Sequence, residues 1–252
     1  MATANPENIL SVRNLAISFD GRRVIHGLNF DLHAGDDLAV IGPNGSGKTV
    51  LLKALLGLIP FEGEIHWSPT ARLGYVPQKV AADPRMPINI RDLLVAKARF
   101  LKLPAQAIDA VAETVGLTAE LLNTSMGVLS GGQFQKALIG FALLGDPNVL
   151  LFDEPTASLD ELAEERIYEL IAQLRHEKAM TVILVSHDLS IVFQSASLVL
   201  CLSKDRPCMG PPHEVLTPEM LERLYDAPAQ YYQHQHDHRK LRRTGTGTGG
   251  RP

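Results

Sequence analysis

Apolar residues at Val12, Leu15, Ile17 and Phe19 run into Asp20-Gly21, after which Val24, Leu28, Phe30 and Leu32 restore the rhythm. The pattern predicts antiparallel strands joined by a tight turn. It then gives way to short, continuous apolar runs at residues 38–41, 149–152 and 182–185. Runs of this kind are expected of strands buried on both faces of a parallel sheet. Helical spacing separates them. From Glu161 to Lys178 the residues Leu162, Ile167, Leu170, Ile171 and Leu174 follow a helical period, with Asp160 placed as N-cap. Between residues 78 and 129 the chain reads as a separate helical lobe, with helices over 90–103 and 104–115 divided at Leu103-Pro104. Beyond Pro228 the sequence turns polar and His-rich and ends in alternating Thr and Gly. Without apolar anchors such a tail cannot offset its ordering entropy, so residues 229–252 are predicted to be disordered.

Composition narrows the class. The 252 residues are 45% hydrophobic and 21% charged, which is the ordinary globular range. A net charge of −4 offers no general attraction for a polyanion, so no nucleic-acid partner is expected. The basic run Arg239, Lys240, Arg242 and Arg243 sits in the polar tail. Two cysteines, Cys201 and Cys208, without repeated spacing indicate neither a disulfide scaffold nor a four-cysteine metal site, and a reducing, cytosolic setting fits. Cys201 reads as a buried strand residue and Cys208 as a loop residue. The first ten residues lack a secretory signal pattern, and apolar runs such as 137–144 stop far short of the ~20 residues a membrane-spanning helix needs.

The strongest chemical signal is Gly42-Pro43-Asn44-Gly45-Ser46-Gly47-Lys48-Thr49, between a predicted strand and a helix expected to end near Leu58. This is a phosphate-binding loop in its required context. Its glycines let successive backbone N–H groups curl around phosphates, and the helix N-terminus adds a positive dipole end. Lys48 is placed for the β- and γ-phosphates of ATP, the Thr49 hydroxyl for Mg²⁺, and Val50 continues the phosphate-facing first turn. A second signal, Asp153-Glu154, closes a buried strand at the edge where α/β sheets bind ligands. Asp153 suits a magnesium-holding role and Glu154 that of a general base for the attacking water. The third is Leu129-Ser130-Gly131-Gly132-Gln133. Ser130 with Gln133 is a capping box for a helix running to Leu144. Yet Gly131 and Gly132 each weaken a first turn by ~1 kcal/mol relative to Ala, which makes sense where backbone must approach a ligand closely.

In this order the motifs resemble the ABC transporter ATPase family over nearly all of residues 7–225: Walker A at Gly42 to Thr49, Q-loop at Gln78, signature at Leu129 to Gln133, and Walker B ending at Asp153 with Glu154 following. The D-loop Ser158-Leu159-Asp160 and the switch histidine His187 complete the set. The resemblance implies an α/β P-loop fold with a mainly parallel core sheet, an N-terminal antiparallel β subdomain and a helical subdomain at residues 79–145, within an ATPase unit at 7–228. It implies that Gln78 contacts Mg²⁺ and the attacking water, and that His187 contacts the γ-phosphate. Phe19 falls where the family has an aromatic that stacks on adenine, although it also fits the apolar alternation of its strand. Walker A and signature lie far apart within one family member. A head-to-tail homodimer is therefore expected to sandwich ATP between Lys48 and Thr49 of one copy and residues 130–133 of the other, with Asp160 beside the nucleotide.

Further implied partners are a separate integral-membrane permease and, indirectly, an extracytoplasmic substrate-binding protein, with the ATPase peripheral on the cytoplasmic face of a bacterial membrane. The stretches Leu73 to Lys79, Met86 to Ile90, Val199 to Leu202 and Pro207 to Gly210 resemble the branch serving zinc, manganese or iron importers. His234, His236 and His238 resemble the His-rich tails of zinc-uptake ATPases, and neutral imidazoles are good Zn²⁺ ligands. A soluble ABC ATPase of translation or DNA repair is the main rival, but the chain has neither two cassettes nor a long coiled-coil insertion. The sequence departs from the common family pattern after the signature. There Lys136 occupies a position often held by Arg, and Gly140-Phe141 replaces a frequent Ala-Arg, which bears on how the signature helix is braced.

Overall fold

Two fully buried five-residue segments, 149–153 and 181–185, and a third at 37–41 that is buried but for Asp37 set the architecture of the computed structural model, which describes residues 8–19 (the Phe19 side chain excepted), 21–78, 87–203 and 207–225. In chain order the elements are β1 (Asn8–Phe19), β2 (Arg22–His33), β3 (Asp37–Ile41), α1 (Lys48–Leu55), β4 (Glu62–Trp67) and β5 (Leu73–Val76). The helices α2 (Ile90–Phe100), α3 (Gln106–Val115), α4 (Ala119–Leu122) and α5 (Gly131–Leu143) follow. The chain continues with β6 (Val149–Asp153), α6 (Glu161–Lys178), β7 (Thr181–Val185), α7 (Leu189–Ser195) and β8 (Leu198–Cys201). Last come β9 (Cys208–Gly210), α8 (Pro212–Val215) and α9 (Pro218–Tyr225).

The core sheet has the order β5-β6-β7-β3-β8-β9 and is parallel throughout except for the final β8–β9 pair. Because strand side chains alternate between faces, each strand serves two layers. Leu150, Phe152, Val182 and Leu184 pack with α2, α3, α5 and α6. Val149, Leu151, Ile183 and Val185 pack instead with α1 and the antiparallel sheet β2-β1-β4. Continuous apolar runs are thus the signature of a sheet covered on both sides. Among the described residues no helix is long and apolar enough to cross a membrane.

Several boundaries differ from the sequence expectation. Helix α1 stops at Leu55 rather than near Leu58, because Leu56 caps it and Gly57 follows with φ +68°. Helix α2 ends at Phe100 rather than at residue 103, before Lys102 at φ +56°, and α3 starts at Gln106 rather than at the preceding Pro104. Helix α5 ends one residue earlier than expected, at Leu143. Cys208 lies on β9, directly opposite the buried Cys201, and not in a loop. Strand β4 joins the antiparallel pair as a third member, although only Ile65 and Trp67 in it are partly covered. By contrast α6 has the expected bounds and its expected cap, with Asp160 accepting from Ala163 N at 2.9 Å. The tail after Tyr225 and its three alternating histidines lie outside the described residues.

The departures after the signature have a packing reason. A Cβ on Gly140 would stand 3.3 Å from Val111 and 3.4 Å from Val115, so glycine lets α3 approach α5 closely. Phe141 in turn forms a brace with α2, for the Lys97 ammonium sits 4.5 Å from the ring centroid and donates to the Phe141 and Ala142 carbonyls. Burial lowers the Lys97 pKa, yet the carbonyls and the ring face all favour its charged form. Replacing Lys97 by Met is expected to destabilise the fold by about 1–2 kcal/mol through the lost carbonyl and ring contacts. A urea unfolding midpoint equal to the parental one would show that the brace contributes nothing.

Candidate functional site

The carboxyl ends of β3, β6 and β7 lie side by side, since Val40 and Asp153 both pair with Val185. Ligands of open α/β sheets bind outside such ends. After β3 the chain turns at Gly42, where an added Cβ would meet the Leu202 carbonyl oxygen at 2.5 Å. Pro43, Asn44 and Gly45 follow, and Gly45 and Gly47 have φ of +79° and +100°. At Gly47 an added Cβ would strike Val24 at 2.6 Å, so position as well as φ requires glycine there. The loop ends on α1, whose first turn holds Lys48, Thr49 and Val50.

Lys48 is only 7% exposed, and its ammonium donates to the Gly42 carbonyl at 2.9 Å and the Pro43 carbonyl at 3.3 Å. The same ammonium stands 3.7 Å from Glu154 Oε1. Thr49 Oγ1 donates to Asp153 Oδ1 at 2.9 Å, while Tyr75 donates to Asp153 Oδ2 at 3.4 Å. Gln78, just past β5, donates from Nε2 to Glu154 Oε2 at 2.8 Å. Lys48, Thr49, Gln78, Asp153 and Glu154 therefore converge. Asp153 is 1% exposed, and burial raises its pKa against the lowering effect of the Thr49 hydrogen bond. A buried carboxylate of this kind gains from a cation. Ser46 Oγ is a buried oxygen with no hydrogen-bond partner among the described residues, at the heart of the phosphate-binding loop. Hydroxyl and carboxylate oxygens suit Mg²⁺, which takes hard oxygen ligands together with substrate phosphates. The residues thus fit a magnesium nucleotide.

Glu154 has φ +47°, a left-handed conformation uncommon for a residue with a side chain. Its N–H donates to the Val185 carbonyl at 3.1 Å, which holds the turn against the end of β7. His187 is exposed, two residues beyond that carbonyl and on the same edge of the sheet.

The signature residues lie apart from this group. Ser130 Oγ accepts from Gln133 N at 3.3 Å and Gln133 Oε1 accepts from Ser130 N at 3.0 Å, which is the expected capping box. Among the described residues no hydrogen bond or ion pair joins residues 130–133 to residues 42–49. The two glycines have neighbours within the chain: a Cβ on Gly131 would lie 2.7 Å from Leu159, and one on Gly132 would lie 3.3 Å from Ala163. These glycines were expected to let backbone approach a ligand; within the chain it is the D-loop and the start of α6 that lie against them. Asp160 is engaged as the α6 cap. The Phe19 side chain lies outside the described residues, so the adenine-stacking expectation is carried by the sequence alone. Sequence reasoning missed Tyr75 as an Asp153 partner, a contact that follows from the pairing of β5 with β6.

The chain is similar to known proteins over most of its length. The family described as ABC transporter matches residues 25–157. The chain is 36% identical over 238 residues to the zinc import ATP-binding protein ZnuC of Brucella abortus, covering 92% of this chain and 78% of that one. It is 37% identical over 234 residues to the protein of the same name from Magnetococcus marinus, covering 90% and 88%. An ABC transporter described as of metal-chelate type, solved in an inward-facing conformation, superposes with TM-score 0.81 at 30% identity, covering 88% of this chain and 90% of that one. The cbiO1 subunit of the Clostridium perfringens cbiONQ complex superposes with TM-score 0.71 at 27% identity, covering 86% and 93%.

Proposed function

The chain belongs to the ABC transporter ATPase family and hydrolyses ATP, and on that premise we propose that it drives import of a divalent metal, zinc before manganese or iron, through a separate permease. In this reading the ATPase unit spans residues 7–228, with its helical subdomain at 79–145 and the His-rich tail beyond. Backbone N–H groups of residues 43–49 cradle the phosphates, and Lys48 neutralises the β- and γ-phosphates. Thr49 and Asp153, with Gln78 nearby, would hold Mg²⁺, which when bound would supply charge neutralisation to the phosphates. Glu154 accepts the proton of the attacking water, and its hydrogen bond from Gln78 orients the carboxylate. His187 donates to the γ-phosphate from the neighbouring strand end. Phe19 stacks on the adenine.

What carries the two-copy reading is the separation of the signature from the phosphate loop. Ser130 and Gln133 cap each other, and the glycines between them pack on Leu159 and Ala163 of their own chain. A helix start with free backbone N–H groups is a ready anion site, and a second copy arranged head to tail supplies the triphosphate to it. Two chains thereby enclose two nucleotides, and Asp160 lies at the junction. Closing of the pair moves the permease, and phosphate release reopens it, on the cytoplasmic face of the membrane. The metal assignment is supported by relatives named for zinc import and by the His-rich tail.

Reconstitution of the full chain with its permease tests the substrate. Turnover is expected to rise with an extracytoplasmic binding protein loaded with zinc, and less with manganese or iron. Stimulation by manganese or iron in preference to zinc would reassign the cargo. Stimulation by none of them would overturn the importer reading.

A further inference from the structure

Behind the hydrolytic edge, three hydroxyls form a bridge that the roles above do not use. Tyr168 stands on α6 with its hydroxyl 3.1 Å from Thr156 Oγ1 and 3.3 Å from Ser186 Oγ. Thr156 follows Glu154 by two residues, and Ser186 immediately precedes His187. Both are closed to solvent, at 4% and 2% exposure. Each also has a second partner, for Thr156 donates to Glu164 Oε1 at 3.0 Å and Ser186 accepts from Asp188 N at 3.0 Å. Burial raises the Tyr168 pKa against the lowering effect of the two hydroxyls, so the phenol stays neutral and keeps its proton.

The two segments this bridge joins also meet through backbone, where Glu154 N–H donates to the Val185 carbonyl while Glu154 holds its φ of +47°. One backbone bond fixes a point but leaves rotation about it. A side-chain tie two residues further on removes that freedom, and it does so from a helix whose start is capped by Asp160. A phenylalanine would fill the same space. What the hydroxyl adds is the link between the two segments.

We propose that Tyr168 is a positioning residue for ATP hydrolysis, its hydroxyl tying the segment after Glu154 to the segment before His187 so that carboxylate and imidazole keep a fixed separation. The proposal rests on the assignment of Glu154 as base and His187 as γ-phosphate contact.

The test uses the full chain assembled with its permease, Mg-ATP as substrate, and the variants Tyr168→Phe, Thr156→Val, their double, and Glu154→Gln side by side. Thr156 and Ser186 each keep one other hydrogen bond, so Tyr168→Phe removes only the acceptor of the Ser186 proton and is expected to fold, with a melting midpoint within about 4 °C of the parent. Its kcat is expected to fall about tenfold while ATP affinity changes by less than about twofold. The double variant is expected to be hardly slower than the worse single one, because the two changes break one network. Parental kcat in Tyr168→Phe, with Glu154→Gln inactive in the same assay, would overturn the positioning role and leave the base assignment standing. A lowered midpoint with kcat unchanged would overturn it too, by showing a contact for stability alone. Parental turnover in Glu154→Gln would remove the base assignment itself, and the proposal with it.

Discussion

Replacing Glu154 by Gln is expected to slow ATP turnover by about 10²–10³-fold while ATP affinity stays within about threefold of the parent. The amide keeps the shape of the side chain, and its carbonyl oxygen still accepts from Gln78 Nε2. Only the proton-accepting charge disappears. The strained backbone at φ +47° is unaltered by an isosteric change, and its tie to the Val185 carbonyl is a main-chain bond. Loss should therefore fall on kcat and not on folding. Steady-state turnover measured beside nucleotide binding separates these effects, and hydrolysis at the parental rate would mean that another group takes the proton.

Lys48→Ala is expected to fail in a different way. The ammonium is 7% exposed, donates to two carbonyls of its own loop and stands 3.7 Å from Glu154. Its removal takes away both the cation facing the phosphates and a clasp on the loop that shapes their site. Turnover is expected to drop by about a hundredfold or more, with weaker ATP binding contributing to the loss. Titration with Mg-ATP should then show a raised dissociation constant, in contrast to Glu154→Gln. Full activity in Lys48→Ala would reject the phosphate-binding role of residues 42–49.

What could be read from the sequence follows a physical rule. The phosphate loop, the Asp153-Glu154 pair and the Ser130/Gln133 cap are contiguous, so the backbone conformation that gives them meaning is written in neighbouring residues. The same holds for α6, whose period and Asp160 cap gave its bounds correctly. Pairings between distant segments were not legible. Tyr75 with Asp153, Gln78 with Glu154, Lys97 with Phe141 and Tyr168 between Thr156 and Ser186 depend on strand order and helix docking. No local pattern encodes these.

Gly131 and Gly132 show the intermediate case. Two glycines in a first turn pointed to backbone approaching a ligand, but their packing against Leu159 and Ala163 was visible only once α5 and α6 were placed. The short strands β4 and β9 were missed because neither carries a fully buried residue to generate a pattern.

The central claim is that one chain holds half of each nucleotide site and a second chain the other half. The molar mass of purified Glu154→Gln in solution, with and without Mg-ATP, tests it most directly. The account predicts a 27.5 kDa monomer without nucleotide and a particle of twice that mass with it. A chain that binds Mg-ATP, hydrolyses it in the parental form, and stays monomeric in the Glu154→Gln form at saturating nucleotide would contradict it.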